Sequence, residues 1–189
     1  MMRAVRPLCL LAAVAALEGV AGPARAEDDA CAAVLAAARA IGTAPQYRSV
    51  LVATTPTRRR PYEAEQIVVG DLIYATSPGA GRWMKLPMKA SDREALAAAL
   101  VRYPPHHCEA ADLAGGDPGG ADAALRMFSY KQDVSGPGSA SSRLWVGRQD
   151  GRPRRLESQE GTTRVVVTLE YEGVTPPDLH EPAPPSPHP

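Results

Sequence analysis

Large aromatic rings are scarce in this 189-residue chain, which has one phenylalanine, two tryptophans and six tyrosines. A core built on clustered rings is therefore excluded, and alanine, valine, leucine and methionine must fill whatever lies inside. Asparagine is absent and lysine is outnumbered by arginine, 3 to 18, a bias that speaks of genome composition rather than activity. No apolar run reaches the roughly 18–20 residues that a membrane-crossing helix needs. A surplus of basic charge is also missing, with 21 basic against 21 acidic residues. Nucleic acid is therefore not an expected partner, since phosphate backbones require a basic surface. Histidine occurs four times, twice in or near the C-terminal tail as His180 and His188. No Gly-x-Ser-x-Gly elbow, phosphate loop, dinucleotide fingerprint or zinc-protease helix is present. Glu63 and Glu65 share a strand face, but such a pair on an outer strand reads as a solvated surface rather than an acid–base couple. Enzyme chemistry is not expected.

What is present begins with a leader. Arg3 and Arg6 precede an apolar run at 8–17, and Ala24-Arg25-Ala26 supplies the small-x-small pattern read by signal peptidase. Residues 1–26 are expected to be removed, leaving 163 residues, one domain at 27–174 and a disordered proline-rich tail at 175–189. Losing Arg3, Arg6, Arg25 and Glu18 leaves 18 basic and 20 acidic residues, a net charge of −2. Cys9 leaves with the leader, so Cys31 and Cys108 remain. In an oxidising compartment an even pair is most simply one disulfide. The alternative is a metal site on His106-His107-Cys108, although adjacent histidines diverge in an extended segment and no fourth ligand stands at a useful spacing.

Residues 28–41 read as a helix, with an aspartate cap, an alanine-rich body and a stop at Gly42. The period then changes from helical to alternating. Strands are expected at 46–55, 62–69, 72–76 and 82–86, followed by a second helix at 91–101 with a Ser91/Glu94 capping box. Residues 106–120 read as irregular and 135–142 as a flexible connection. Four more strands are expected at 123–134, 143–147, 153–159 and 162–171. Fold class is therefore α+β, a strongly curved antiparallel sheet of about eight strands with helices on its concave face.

Such a sheet either packs solid or encloses an apolar cavity. Met84, Met88 and Met127 would give a deformable lining suited to alkyl chains, or simply fill the core. In the hairpin around Asp150-Gly151, Leu144 and Val146 share one face, while Arg143 and Trp145 share the other. Arginine stems are well suited to cover that tryptophan.

Two segments carry a resemblance. VGDLIYATSPGAGRWMKLPM at 69–88 resembles the strand–turn–strand–Trp–strand segment of the periplasmic lipoprotein-carrier superfamily, the LolA-, LolB- and LppX-like proteins. LWVGRQDGRPRRLE at 144–157 resembles that family's later hairpin. The resemblance implies an unclosed barrel covered by helices, with a cavity between sheet and helices that holds acyl chains. It further implies a soluble, monomeric, cofactor-free periplasmic carrier whose partner is the acyl chain of a lipoprotein or lipid. The alternative is an envelope protein-interaction or sensor module of the same fold with a filled core. The expected cavity lining is Leu51, Ile67, Leu72, Met84, Leu86, Phe128, Leu144, Val165 and Val167. That set depends on register, because a slip of one residue exchanges the two faces of a strand.

Overall fold

The computed structural model describes residues 23–76, 82–89, 91–92, 103–111, 124–133 and 138–179. The leader run at 8–17, most of the helix expected at 91–101, the glycine-rich loops at 77–81 and 115–120, and the tail from His180 onward lie outside the described residues.

Helix α1 spans Pro23–Thr43, longer at both ends than its alanine-rich centre predicts. Nine strands follow: β1 (Gln46–Thr54), β2 (Tyr62–Val69), β3 (Leu72–Thr76), β4 (Trp83–Pro87), β5 (His106–Ala111), β6 (Leu125–Asp133), β7 (Ser139–Gly147), β8 (Pro153–Glu160) and β9 (Thr163–Glu170). They form one antiparallel sheet in the order β4-β3-β2-β1-β9-β8-β7-β6-β5. Two meanders, β1–β4 and β5–β9, are joined where the first strand pairs with the last. The sheet is open, with β4 and β5 at its edges.

Nine strands rather than about eight reflects β5, which falls in the segment read as irregular. Its alternation is broken by a bulge between His106 and Glu109, where His107 takes a left-handed φ of 51°. Cys108 is the buried residue of this strand. Of the flexible connection expected at 135–142, residues 139–142 are instead the first residues of β7. Ala140 and Ser142 are buried there, and the Ser142 hydroxyl lies 3.1 Å from that of Ser158 on β8. Serines supplied no hydrophobic alternation to read.

α1 lies over only part of the sheet, packing against β5, β6 and β8. Ala30, Val34 and Ala37 meet Cys108, Phe128, Tyr130, Leu144 and Val146 in one buried cluster. The spacing of the three helical residues places them on one stripe. Cys31 and Cys108 are bonded, pinning the helix to edge strand β5 across 77 residues. Cys108 therefore offers no free thiolate to the metal site considered from the sequence. A second cluster, Ala44, Tyr47, Val68, Met88, Leu169 and Tyr171, packs on the sheet beside the end of α1.

Candidate functional site

Cross-strand partners share a face, so the registers sort the nine expected lining residues. Phe128 pairs with Leu144, Leu144 with Leu156, Leu156 with Val167, and Val167 with Leu51. Val165, Met84 and Leu86 fall on this same face through their partners Ala53, Ala75 and Ile73. Ile67 and Leu72 do not. Ile67 pairs with Arg48 and Tyr74, and Leu72 with Val69, on the opposite face. The reason lies in Ile67-Val68-Val69 and Leu72-Ile73-Tyr74, where consecutive apolar residues serve both faces and leave no alternation to choose from. Val68, Ile67 and Tyr74 are all buried.

The seven residues on the α1 face have different fates. Phe128 and Leu144 are sealed in the cluster beneath the helix. Leu51, Val165 and Val167 are half-buried, and Met84 and Leu86 are 47% and 49% exposed. These five, with Ala53, Ala64 and Ala75, make an apolar platform across β9, β1, β2, β3 and β4, beyond the strands that α1 covers. The alanines escaped notice in the sequence because their side chains carry no signal against so alanine-rich a background.

Three recesses flank this arrangement. One, of about 610 Å3, opens between α1 and strands β5 and β6, where Ala30, Ala33, Ala110 and Phe128 meet Glu27, Asp29, Glu109 and Arg126. The Arg126 guanidinium lies 5.3 Å from the centre of the Phe128 ring. A second, of about 360 Å3, lies on the opposite face. There Ile67 and Trp83 face the segment 172–178, next to the Arg48–Glu65 ion pair of 2.6 Å. Hydrogen bonding to Glu65 raises the Arg48 pKa against the opposing effect of burial, and the carboxylates of Glu65 and Glu170 add to it. Glu65 is thus held as an ion-pair partner. The third, of about 730 Å3, is a polar groove on the opposite face of β6–β9.

The hairpin between β7 and β8 joins the two faces. Gly151 has a φ of 65°, and Gly147 is packed so closely against the Asp150 carboxylate that a Cβ there would collide with it. Asp150 accepts from the Arg152 amide at 3.1 Å and from Arg154 at 2.6 Å. Burial pushes the Asp150 carboxyl up, but these bonds and the two guanidiniums outweigh it and leave it below the ordinary range. Trp145 lies under Arg155, 5.7 Å from its ring centre, on the face away from α1. Arg154 alternates to the α1 face instead, stacking 4.9 Å from Tyr171, which Arg152 also flanks at 5.3 Å. Arg154 and Arg155 thus serve opposite faces of the sheet, as neighbouring strand residues do.

Tyr171 is buried, and its hydroxyl has no hydrogen-bond partner among the described residues. Burial drives its pKa up to about 12, despite the opposing guanidiniums. A phenol raised above its unfolded value of about 10 contributes stability below that pH, and loses it as pH climbs toward the folded value. The urea midpoint is therefore expected to fall between pH 10 and 12. In Tyr171→Phe it is expected to fall less steeply, with little cost at pH 7 because no hydrogen bond is removed. Equal alkaline slopes for the two proteins would count against this account.

No family model and no curated protein matches the sequence. Among solved structures the fold is similar to the lipoprotein LppX of Mycobacterium tuberculosis, with a TM-score of 0.48 and 10% identity over 79% of this chain and 98% of that one. It is similar to LprF from Mycobacterium bovis, with a TM-score of 0.44 and 12% identity over 83% and 98% of the two chains. A LolA superfamily protein from Nitrosomonas europaea is similar with a TM-score of 0.29 and 11% identity, over 75% and 91%. The likeness is one of fold.

Proposed function

We propose that this is a soluble, monomeric binding or carrier protein of the periplasm that holds the acyl chain of a lipid or lipoprotein against the platform beside α1. The observation that carries the reading is the row Leu51, Val165, Val167, Met84 and Leu86, apolar and only partly covered on a face whose other half is closed by the helix. Each methylene moved from water onto such a surface contributes up to about 0.8 kcal/mol, so binding requires no chemistry and a better acceptor can withdraw the chain. The Cys31–Cys108 bond suits an oxidising compartment, and the leader at 1–26 would deliver the chain there.

A second reading draws on the tight packing of Phe128 and Leu144 under α1. With that half filled, the protein would instead serve as an envelope interaction module through its outer face, where Trp145 and Arg155 are stacked.

Native mass spectrometry of protein purified from a periplasmic extract separates the two. Carrier function predicts a co-purifying lipid or acylated peptide, lost at least tenfold in Leu86→Asp, a change at a half-exposed edge-strand position whose folding circular dichroism checks. A bare protein mass, with no uptake of added palmitate or phospholipid, would transfer the assignment to the interaction module.

A further inference from the structure

The face of the sheet away from α1 carries a second feature, which shares no residue with the acyl platform. β6 and β7 there place four polar side chains in adjacent registers, Ser129 opposite Arg143 and Lys131 opposite Ser141. In an antiparallel pair, directly opposed Cβ atoms stand about 5 Å apart and diagonal ones about 7–8 Å. Two cations thus sit on one diagonal of a small square and two hydroxyls on the other. All four line the 730 Å3 groove, with Arg164, Glu157 and Gln159 along its far wall and His107 and Glu109 along β5.

The charges of this groove are unevenly paired. Glu157 stands directly across from Arg143. Its oxygens are nevertheless taken by Arg155 at 2.6 Å and Arg164 at 3.1 Å. Burial raises the Glu157 carboxyl, but these two guanidiniums prevail and hold it below the ordinary range. Arg143 and Lys131 have no ion-pair partner among the described residues, and the hydroxyls of Ser129 and Ser141 have no hydrogen-bond partner among them. Glu109 is the one groove carboxylate left without a pair among those residues. The same face continues with Met127 opposite Trp145. An apolar and aromatic strip therefore adjoins the cationic square.

We propose that the Lys131–Arg143 square is a binding site for a phosphate group, with Ser129 and Ser141 supplying neutral donors between the two cations. A tetrahedral oxyanion presents several acceptors at once. A guanidinium, an ammonium and two hydroxyls meet them from four corners, charge-assisted from two. The phosphate comes either from a soluble phosphate ester or from a lipid headgroup, and the Met127–Trp145 strip suits the second source. The site lies on the opposite sheet face from the acyl platform, so it stands or falls independently of the carrier reading.

The test is a titration of the whole protein with inorganic phosphate, followed by amide NMR shifts. It is paired with sedimentation against phosphatidylglycerol vesicles and neutral phosphatidylcholine vesicles. Saturable shifts centred on 129, 131, 141 and 143, weakened at least tenfold in Lys131→Gln/Arg143→Gln but not in Arg60→Gln, are expected. Both substituted positions are exposed, so folding is preserved, which circular dichroism verifies. Saturable binding of phosphate, with or without the anionic vesicles, establishes the site. Binding of anionic vesicles alone, lost in the double variant, establishes it with the headgroup as source. Absence of binding in both arms overturns the proposal. So does equal weakening by Arg60→Gln, which would mark mere bulk charge.

Discussion

Replacing Cys31 and Cys108 together by serine is expected to lower stability by about 4 kcal/mol, the loop-closure entropy released to the unfolded chain. The bond spans 77 residues, close to half of the part expected to be mature, so the constraint on the unfolded ensemble is large. The folded state suffers too. β5 is an edge strand with β6 as its only sheet neighbour, and its other main attachment is α1. In a domain of this size the loss corresponds to a fall in Tm on the order of 10 °C. Thermal melts with and without reductant, and of the double serine variant, measure it. Coincident melts would mean that the bridge adds nothing the packing has not already supplied.

Truncating Phe128 to alanine is expected to cost about 3–5 kcal/mol, because the cavity left behind has few ways to close. Phe128 is the only phenylalanine in the chain and sits among Ala30, Val34, Leu144 and Val146. Its neighbours on the helix are mainly alanines, which cannot extend into the space. The exposed Met84→Ala serves as the contrast and is expected to change stability by less than about 1 kcal/mol. Urea midpoints compare the two, and a Phe128 loss as small as that of Met84 would sink the claim that this cluster is the principal core. Cys108 belongs to the same cluster, so the bridge and ring variants are expected to be non-additive when combined.

Much of the architecture was legible where one face of a strand is buried and the other wet. From Arg164 to Tyr171 only Val166 interrupts the alternation, and β9 falls there as Thr163–Glu170. The cysteine pair and the Asp150-Gly151 turn were equally plain. Strand order was not, since nothing in β1 or β9 announces that they are neighbours. Runs such as Ile67-Val68-Val69 concealed which side faces the helix, because both sides are covered, one by the second core cluster and one near the C-terminal segment. β5 was invisible because its bulge breaks the period and a disulfide replaces much of the apolar anchoring a sequence reader looks for. Of the nine expected lining positions, seven share a face, and the two that do not come from those doubly covered runs.

The seam between β1 and β9 also dictates how the chain must come together. Gln46 at its start reaches the Tyr171 carbonyl at 3.3 Å, a contact across 125 residues. Whichever meander forms first has to wait with one raw edge until the other arrives, and the entropy of closing so long a loop makes this the slow step. During that wait Val50, Val52 and their neighbours on β1 have no β9 beside them, an invitation to pair with another copy. Aggregation during refolding is therefore an expected consequence of this topology, to be governed by how quickly the last strand finds the first.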